Sequence, residues 1–358
     1  SLEMQLPLRG ITDVTVEWGD GTYTTHTANY PQSATNSITH TYTSPGTYTI
    51  AIQGETEQFG DDDQEDEDRR IYSERITKVL SFGDLGLKSL ESAFENASNL
   101  VGVPQVLPST VTSLVGTFAS ASSFNDSNVT LWDVSGVTDM SELFKGADAF
   151  NQDIGSWDVS GVTDMNTMFA NATSFNQDIG SWDVSGVTDM PGMFFLATSF
   201  NQDLSSWDVS GVVNMTSMFT SAASFNQDLS SWDVSGVISM ASMFNNAISF
   251  NQDLSSWDIG NVIFMIEMFD DSGLSKENYT STLIGWGQQT VQNGVTLGAE
   301  GKKFDYTAYD ERQNLIDTYG WTINDGGIFY IEVDSWEDLH NIRNDLTVAY
   351  RLTQHLTR

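Results

Sequence analysis

Apolar positions return along this chain with a fixed step. Trp132, Trp157, Trp182, Trp207, Trp232 and Trp257 follow one another at 25 residues. Phe150, Phe175, Phe200, Phe225 and Phe250 keep the same step. So do Met140, Met165, Met190, Met215, Met240 and Met265, and so do Phe144, Phe169, Phe194, Phe219, Phe244 and Phe269. The unit reads FNQDIGSWDVSGVTDMNTMFANATS at 150–174 and, with small changes, FNQDLSSWDVSGVVNMTSMFTSAAS at 200–224. Fainter copies precede it at Leu90 and Phe94, at Leu114 and Phe118, and at Phe124. A fixed period of about 20–50 residues marks stacked supersecondary units. One unit cannot bury its large apolar groups alone; stacking makes them a continuous column.

Within a unit, Ile179, Trp182 and Val184 are spaced apolar-x-x-apolar-x-apolar, followed by Val187 and Met190. That spacing resembles the LxxLxL strand of a leucine-rich repeat, with Trp and Val in place of Leu. Strand side chains alternate faces. This register therefore predicts Trp182 and Val184 inward, with Ser181, Asp183 and Ser185 outward on a concave face. Met193, Phe194 and Phe200 are expected to close a short helical or 3₁₀ turn on the convex side. The Trp, Phe and Met columns read as core, because aromatic residues at this spacing dominate cores.

The flanks read differently. Residues 1–60 alternate as short strands, with turn signals at Asp20-Gly21 and Pro45-Gly46, and predict a small β-sandwich. Residues 61–75 open with DDDQEDED, which reads as a solvated acidic loop. It lacks the glycine and terminal glutamate of an EF-hand loop. Residues 76–130 read as an N-terminal cap with irregular repeats, and 131–269 as the regular repeats. Residues 270–327 read as a C-terminal cap: Tyr279, Leu283 and Trp286 have helical spacing, Leu315, Ile316 and Tyr319 suggest a second helix ending at Gly320, and Trp321 and Ile323 a last strand. Residues 328–358 read as the start of a further domain or a linker; SWEDLHNIRNDLTVAYRLTQ in it resembles the opening of a GLUG-like β-solenoid region.

Charge narrows the function. The chain of 358 residues carries 49 Asp and Glu against 14 Lys and Arg, a formal net charge of −35. Phosphate recognition needs Lys and Arg to displace counterions, so nucleic acid is not an expected partner. Docking on an anionic membrane is disfavoured for the same reason. No apolar run reaches the roughly 18 residues of a spanning helix, so direct membrane insertion is not expected. The absence of cysteine excludes disulfides and thiolate chemistry. The chain shows no signal peptide at its start, which suggests a cytosolic protein or a section of a longer one.

Between 132 and 269 there are 17 acids and one base, Lys145. Asp133, Asp158, Asp183, Asp208, Asp233 and Asp258 should stack one per unit, beside Ser160, Ser185, Ser210 and Ser235; these ten are the candidate ligand-binding residues. A second column is Asp153, Asp178, Asp203, Asp228 and Asp253. Two readings of the ladders stand side by side. In one, the acids cap turns through side-chain to backbone bonds and keep the face soluble. In the other, Asp158, Asp183, Asp208 and Asp233 hold calcium, which takes about six to eight oxygen ligands. Calcium could then bridge the face to a partner or to a second copy in a homodimer. The less repetitive caps, with Trp286, Tyr306 and Tyr309, are a further place for a discrete site. An ice-binding Thr ladder is limited to Thr138, Thr163 and Thr188, and becomes Val213, Ile238 and Ile263.

The FNQDIGSWDVSGVTDM units resemble the BspA-type leucine-rich repeats of bacterial surface proteins, over about 85–327, and YTSTLIGWGQQTVQNGVTLGA resembles that family's C-terminal region. VEWGDGT at 16–22 and HTYTSPGTYTIAI at 40–52 resemble a PKD-type Ig-like domain, in which His40 is structural. The resemblance implies a leucine-rich-repeat-type solenoid behind a PKD-like β-sandwich. It implies an extracellular adhesin at a bacterial surface, part of a larger secreted or anchored chain, that recognises protein, peptide or glycan. A structural spacer without a ligand is the competing reading. The resemblance brings no catalytic residues, and the carboxylates form a repeated ladder rather than one differentiated acid and base, so an enzyme is not expected.

Overall fold

The computed structural model describes residues 2–29, 36–60, 73–333, 335 and 349–352. The acidic run 61–68 and most of 336–358 lie outside the described residues.

The first region is one antiparallel sheet built on a single long strand. β1 (Glu3–Glu17) pairs along its first half with β3 (Asn36–Thr41) and along its second half with β2 (Tyr23–Asn29). β4 (Ala51–Phe59) pairs with β1 along most of its length. The register shifts between Arg9 and Thr12, where Gly10 takes φ +73°, a bulge geometry that suits glycine. Among the described residues these four strands form one bonded sheet, β1 being long enough to serve β3 and β2 in succession. Its core is Met4, Leu6, Leu8, Val14, Val16, Trp18, Ile38 and Tyr42.

β4 does a second job. Gln58 forms a parallel bridge with Ser89, and the Lys88 N–H donates to the Glu57 carbonyl at 2.7 Å. From Ser89 the bridges continue one per unit through Ser113, Asp139, Asp164, Asp189, Asn214 and Ser239 to Phe264. At the far end Met265 bridges Leu297 in β5 (Thr296–Ala299). The sheet thus supplies the first rung of the stack and β5 the last.

Each regular unit buries at least nine apolar side chains. In one unit these are Phe175, Ile179, Trp182, Val184, Val187, Met190, Met193, Phe194 and Ala197. Each large side chain buried is worth about 1.5–3 kcal/mol. Phe118, Phe144, Phe169, Phe194, Phe219, Phe244 and Phe269 stack with centroids 5.6–6.1 Å apart. A second column, Phe124 to Phe250, runs beside it at 5.9–6.2 Å.

The polar ends of these residues tie units together. The Trp182, Trp207 and Trp232 indole N–H groups donate to Ile154, Ile179 and Leu204 carbonyls of the preceding unit at 2.9–3.1 Å. Asn176 N–H donates to Asn151 Oδ1, and Asn201 N–H to Asn176 Oδ1, at 2.9–3.0 Å, and the amide ladder runs on to Asn251.

The backbone between Met190 and Ala197 alternates its loyalties. Met190, Gly192, Phe194 and Leu196 donate to carbonyls of the next unit; Met193, Phe195 and Ala197 donate three residues back within their own. The alternation goes with left-handed residues at fixed places, among them Thr167 (φ +50°), Gly192 (φ +61°) and Leu196 (φ +57°).

The expected strand at Trp182–Val184 is not where the units bridge. Trp182 N–H donates to Ile179 O at 3.1 Å and Val187 N–H to Val184 O at 2.9 Å, so this segment is two turns joined by a short link. The bridge lies at Asp189 instead, and in the regular repeats it is one residue long. No helix or 3₁₀ segment is present between 132 and 269, where closely spaced turns take that place.

The stack ends under α1 (Lys276–Gly287) and α2 (Tyr309–Asp317). Ser275 and Asn278 take up the amide ladder from Asn251, and the Trp286 indole donates to Leu254 O at 3.0 Å, as a repeat tryptophan would. β6 (Thr322–Asp325) pairs with β5 in parallel, and β7 (Tyr330–Val333) with β8 (Ala349–Leu352). Arg312 holds Asp325 by two bonds of 2.9 Å, and the Tyr279 hydroxyl donates to the same carboxylate at 2.9 Å. The Asp325 side chain is 2 % exposed, so this ion pair is buried.

Candidate binding surface

The aspartates nominated from sequence are all exposed, and each is committed to its own turn. Asp133, Asp158, Asp183 and Asp208 accept through Oδ1 from the backbone N–H two residues on at 3.1 Å and from that serine's hydroxyl at 2.6–2.7 Å. The serines are Ser135, Ser160, Ser185 and Ser210. Asp233 accepts from Ser235 N–H at 3.0 Å and Asp258 from Gly260 N–H at 3.0 Å. This is the Asx turn, in which a short carboxylate mimics a backbone carbonyl.

The serine hydroxyls, and then the backbone N–H groups, hold Asp133, Asp158, Asp183, Asp208 and Asp233 below the ordinary carboxylate range. For Asp158 the repulsion of Asp133 and Asp183 acts the other way and is the weaker effect. The second column follows the same rule: Asp153, Asp178, Asp203, Asp228 and Asp253 accept from N–H groups two residues on at 2.8–3.1 Å. In both ladders Oδ1 is taken by a donor two residues further along the chain.

This geometry bears on the calcium expectation at Asp158, Asp183, Asp208 and Asp233. Each acid pairs with its own serine rather than converging with its neighbours. Among the described residues, no group of three His, Asp or Glu could hold a metal ion.

The caps differ from one another. Trp286 is fully buried and serves as the last rung of the tryptophan ladder, which removes it as a surface residue. Tyr306 and Tyr309 are exposed and stack at 5.4 Å. In the N-terminal sheet, His40 stacks on Trp18 at 4.9 Å and its Nε2 lies 2.8 Å from Asp20 Oδ2. Thr22 donates its hydroxyl and its N–H to Asp20 Oδ1 at 2.6 and 3.0 Å. The Thr22 hydroxyl first, and His40 next, pull Asp20 down to about 2. The cluster locks the turn between β1 and β2.

A surface that the strand assignment overlooked is the bridge face itself. At the bridge the units carry Asp139, Asp164, Asp189, Asn214, Ser239 and Phe264 in succession. One residue earlier they carry Thr138, Thr163, Thr188, Val213, Ile238 and Ile263, all exposed. Partial burial, aided by Asp139 and Asp189, pushes the Asp164 carboxyl up. The signal was in the sequence as a polar-to-apolar drift at two fixed positions, while the WDVSG segment stayed nearly constant.

The family model described as "Mycoplasma protein of unknown function, DUF285" matches residues 88–205 and 177–286. Together the matches span more than half of the chain. The chain belongs to this family. No curated protein and no solved structure shows significant similarity to this DUF285 protein. The two matches overlap across adjoining repeats, as a periodic sequence allows, and cover the stack from the rung after β4 to most of α1. Among the described residues no helix is long and apolar enough to cross a membrane.

Proposed function

We propose that this DUF285 chain is a ligand-binding segment of a bacterial cell-surface adhesin. In this reading it is a leucine-rich-repeat-type solenoid behind a PKD-like module, working outside the cell as part of a longer chain. The observation that carries the reading is the bridge face. It is a continuous surface closed at one end by β4 and at the other by β5, and its residues pass from Thr-Asp in the first three regular units to Val-Asn, Ile-Ser and Ile-Phe in the last three while the core repeats. A stack of nearest-neighbour units presents an extended surface of the kind used for macromolecular recognition. The ligand class is protein, peptide or glycan. The near-constancy of the Asp-x-Ser turns favours the second reading, a spacer with no ligand.

Biolayer interferometry of the immobilised chain against purified extracellular proteins and a glycan array separates the two. Saturable binding to at least one member, at concentrations where a bovine albumin control is flat, is the expected result. Flat responses across both panels, with the fold intact by circular dichroism, overturn the adhesin reading in favour of the spacer.

A further inference from the structure

Between residues 132 and 269 six large apolar side chains stand exposed: Val213, Ile238, Ile248, Ile263, Phe264 and Ile266. All but Ile248 lie on the bridge face of the last three regular units. They range from 40 to 52 % exposed. Their backbones are neighbours: Ile238 N–H donates to Val213 O at 2.8 Å and Ile263 N–H to Ile238 O at 2.9 Å. The fold does not require them, because the preceding units place Thr138, Thr163 and Thr188 at the same point with the same bonds. A contiguous exposed apolar patch on an otherwise polar surface marks an interaction site.

The other half of the face is acidic, through Asp139, Asp164 and Asp189 bridged in a row. Asp139 and Asp164 also serve Asx turns, with Ser141 and Asn166. Asp189 cannot, because the residue two on is Pro191, which has no N–H to donate. Its carboxylate takes a 3.3 Å bond from the Thr188 hydroxyl. An acid is therefore kept where turn chemistry has no use for it. The stack's one base, Lys145, is paired with Glu142 at 2.8 Å.

We propose that this face docks an extended, cationic amphipathic polypeptide of a partner protein. Its apolar side chains cover Val213, Ile238, Ile263, Phe264 and Ile266, and its Lys or Arg side chains face Asp139, Asp164 and Asp189. The proposal rests on the ligand-binding reading above and narrows its ligand class. Charge selects the occupant: a second copy brings another −35 to an uncompensated acidic surface, and an anionic lipid surface is repelled likewise. Spacing constrains it further. Neighbouring rungs are about 4.8 Å apart, so three units from Asp164 to Ile238 span about 14 Å, which an extended chain crosses in about four or five residues.

The probe is a fluorescein-labelled peptide of three lysines, two glycines and Leu-Val-Leu, followed by anisotropy. Its controls are oligolysine of equal length and the same peptide with aspartates for lysines. The comparison variant is Val213→Thr/Ile238→Thr/Ile263→Thr, which extends a threonine column the first units already tolerate. The proposal expects the probe to bind the chain at least about tenfold more tightly than either control. The triple variant should lose about tenfold, and Asp164→Asn/Asp189→Asn should lose affinity mainly at low salt. Equal binding of oligolysine, or an unchanged affinity in the triple variant, overturns it. If a panel protein binds wild type and triple variant alike, this inference falls and the adhesin reading stands. If the probe binds as expected while both panels stay flat, the docking face stands and the adhesin reading falls.

Discussion

In the N-terminal sheet one aspartate, Asp20, is held by an imidazole and a threonine in a network made once. In the stack aspartates recur at fixed places and are held by hydroxyls and amides of their own turns. The two regions share β4 yet follow different rules. The sheet depends on pairings between distant residues, β1 serving three partners. The stack depends on each unit's contact with the next, so its stability approximates a sum of nearest-neighbour terms. Damage should therefore spread differently: through the whole sheet in one case, to adjoining units in the other.

The largest expected effect is in the stack's core. Trp207→Ala should cost about 3–5 kcal/mol, because it empties a buried ring site and leaves Ile179 O without its indole donor. Hydrogen exchange should show lost protection in the flanking units with β1 unchanged. Equal loss in β1 would break the contrast and make sheet and stack one cooperative body.

Next is the C-terminal cap. Arg312→Met leaves Asp325 buried and unpaired, and should cost about 3 kcal/mol by chemical denaturation. Exchange should rise first in α1, α2 and β5, then in the last repeat.

The sheet should carry a low-pH signature. The Thr22 and His40 bonds pull the Asp20 carboxyl down to about 2, below the ordinary carboxylate range. A depressed acid contributes its stability in full above the unfolded pKa, and loses it as pH falls through the folded one. The contribution should therefore fade between about pH 4 and pH 2. Asp20→Asn should flatten that part of the sheet's stability profile, read by Trp18 fluorescence or β1 exchange.

Smaller still is salt. The stack has repelling acids and almost no bases, so raising ionic strength should raise its melting temperature, while the Asp20–His40 contact weakens. The smallest effect concerns calcium. With the ladder acids occupied by their own turns, calcium against EDTA at matched ionic strength should leave melting temperature and sedimentation unchanged. A calcium-specific rise would support the metal reading of Asp158, Asp183, Asp208 and Asp233.

Several features were legible because they repeat. The spacing of Trp182, Phe194 and Phe200 pointed to core, and all three are buried. The helical spacing of Tyr279, Leu283 and Trp286 lies in α1, with the three side chains packed inward. The strand position was not legible. The LxxLxL pattern drew it to Trp182–Val184, but inward-facing residues at that spacing also fit two consecutive turns. The bridge at Asp189 sits among left-handed residues such as Thr167 and Leu196, whose side chains give no warning of that geometry.

By itself the sequence determined the period, the composition of the buried columns and the excess of acid. Those are properties of spacing and count, and stacking preserves them whatever the path of the backbone. Only the tertiary structure decided which exposed positions share a face. That depends on where inter-unit hydrogen bonds fall, and here the backbone satisfies its donors alternately within a unit and across to the next. It also decided that the ladder aspartates answer to their own turns, because a carboxylate binds the nearest well-placed donors, and those lie two residues away.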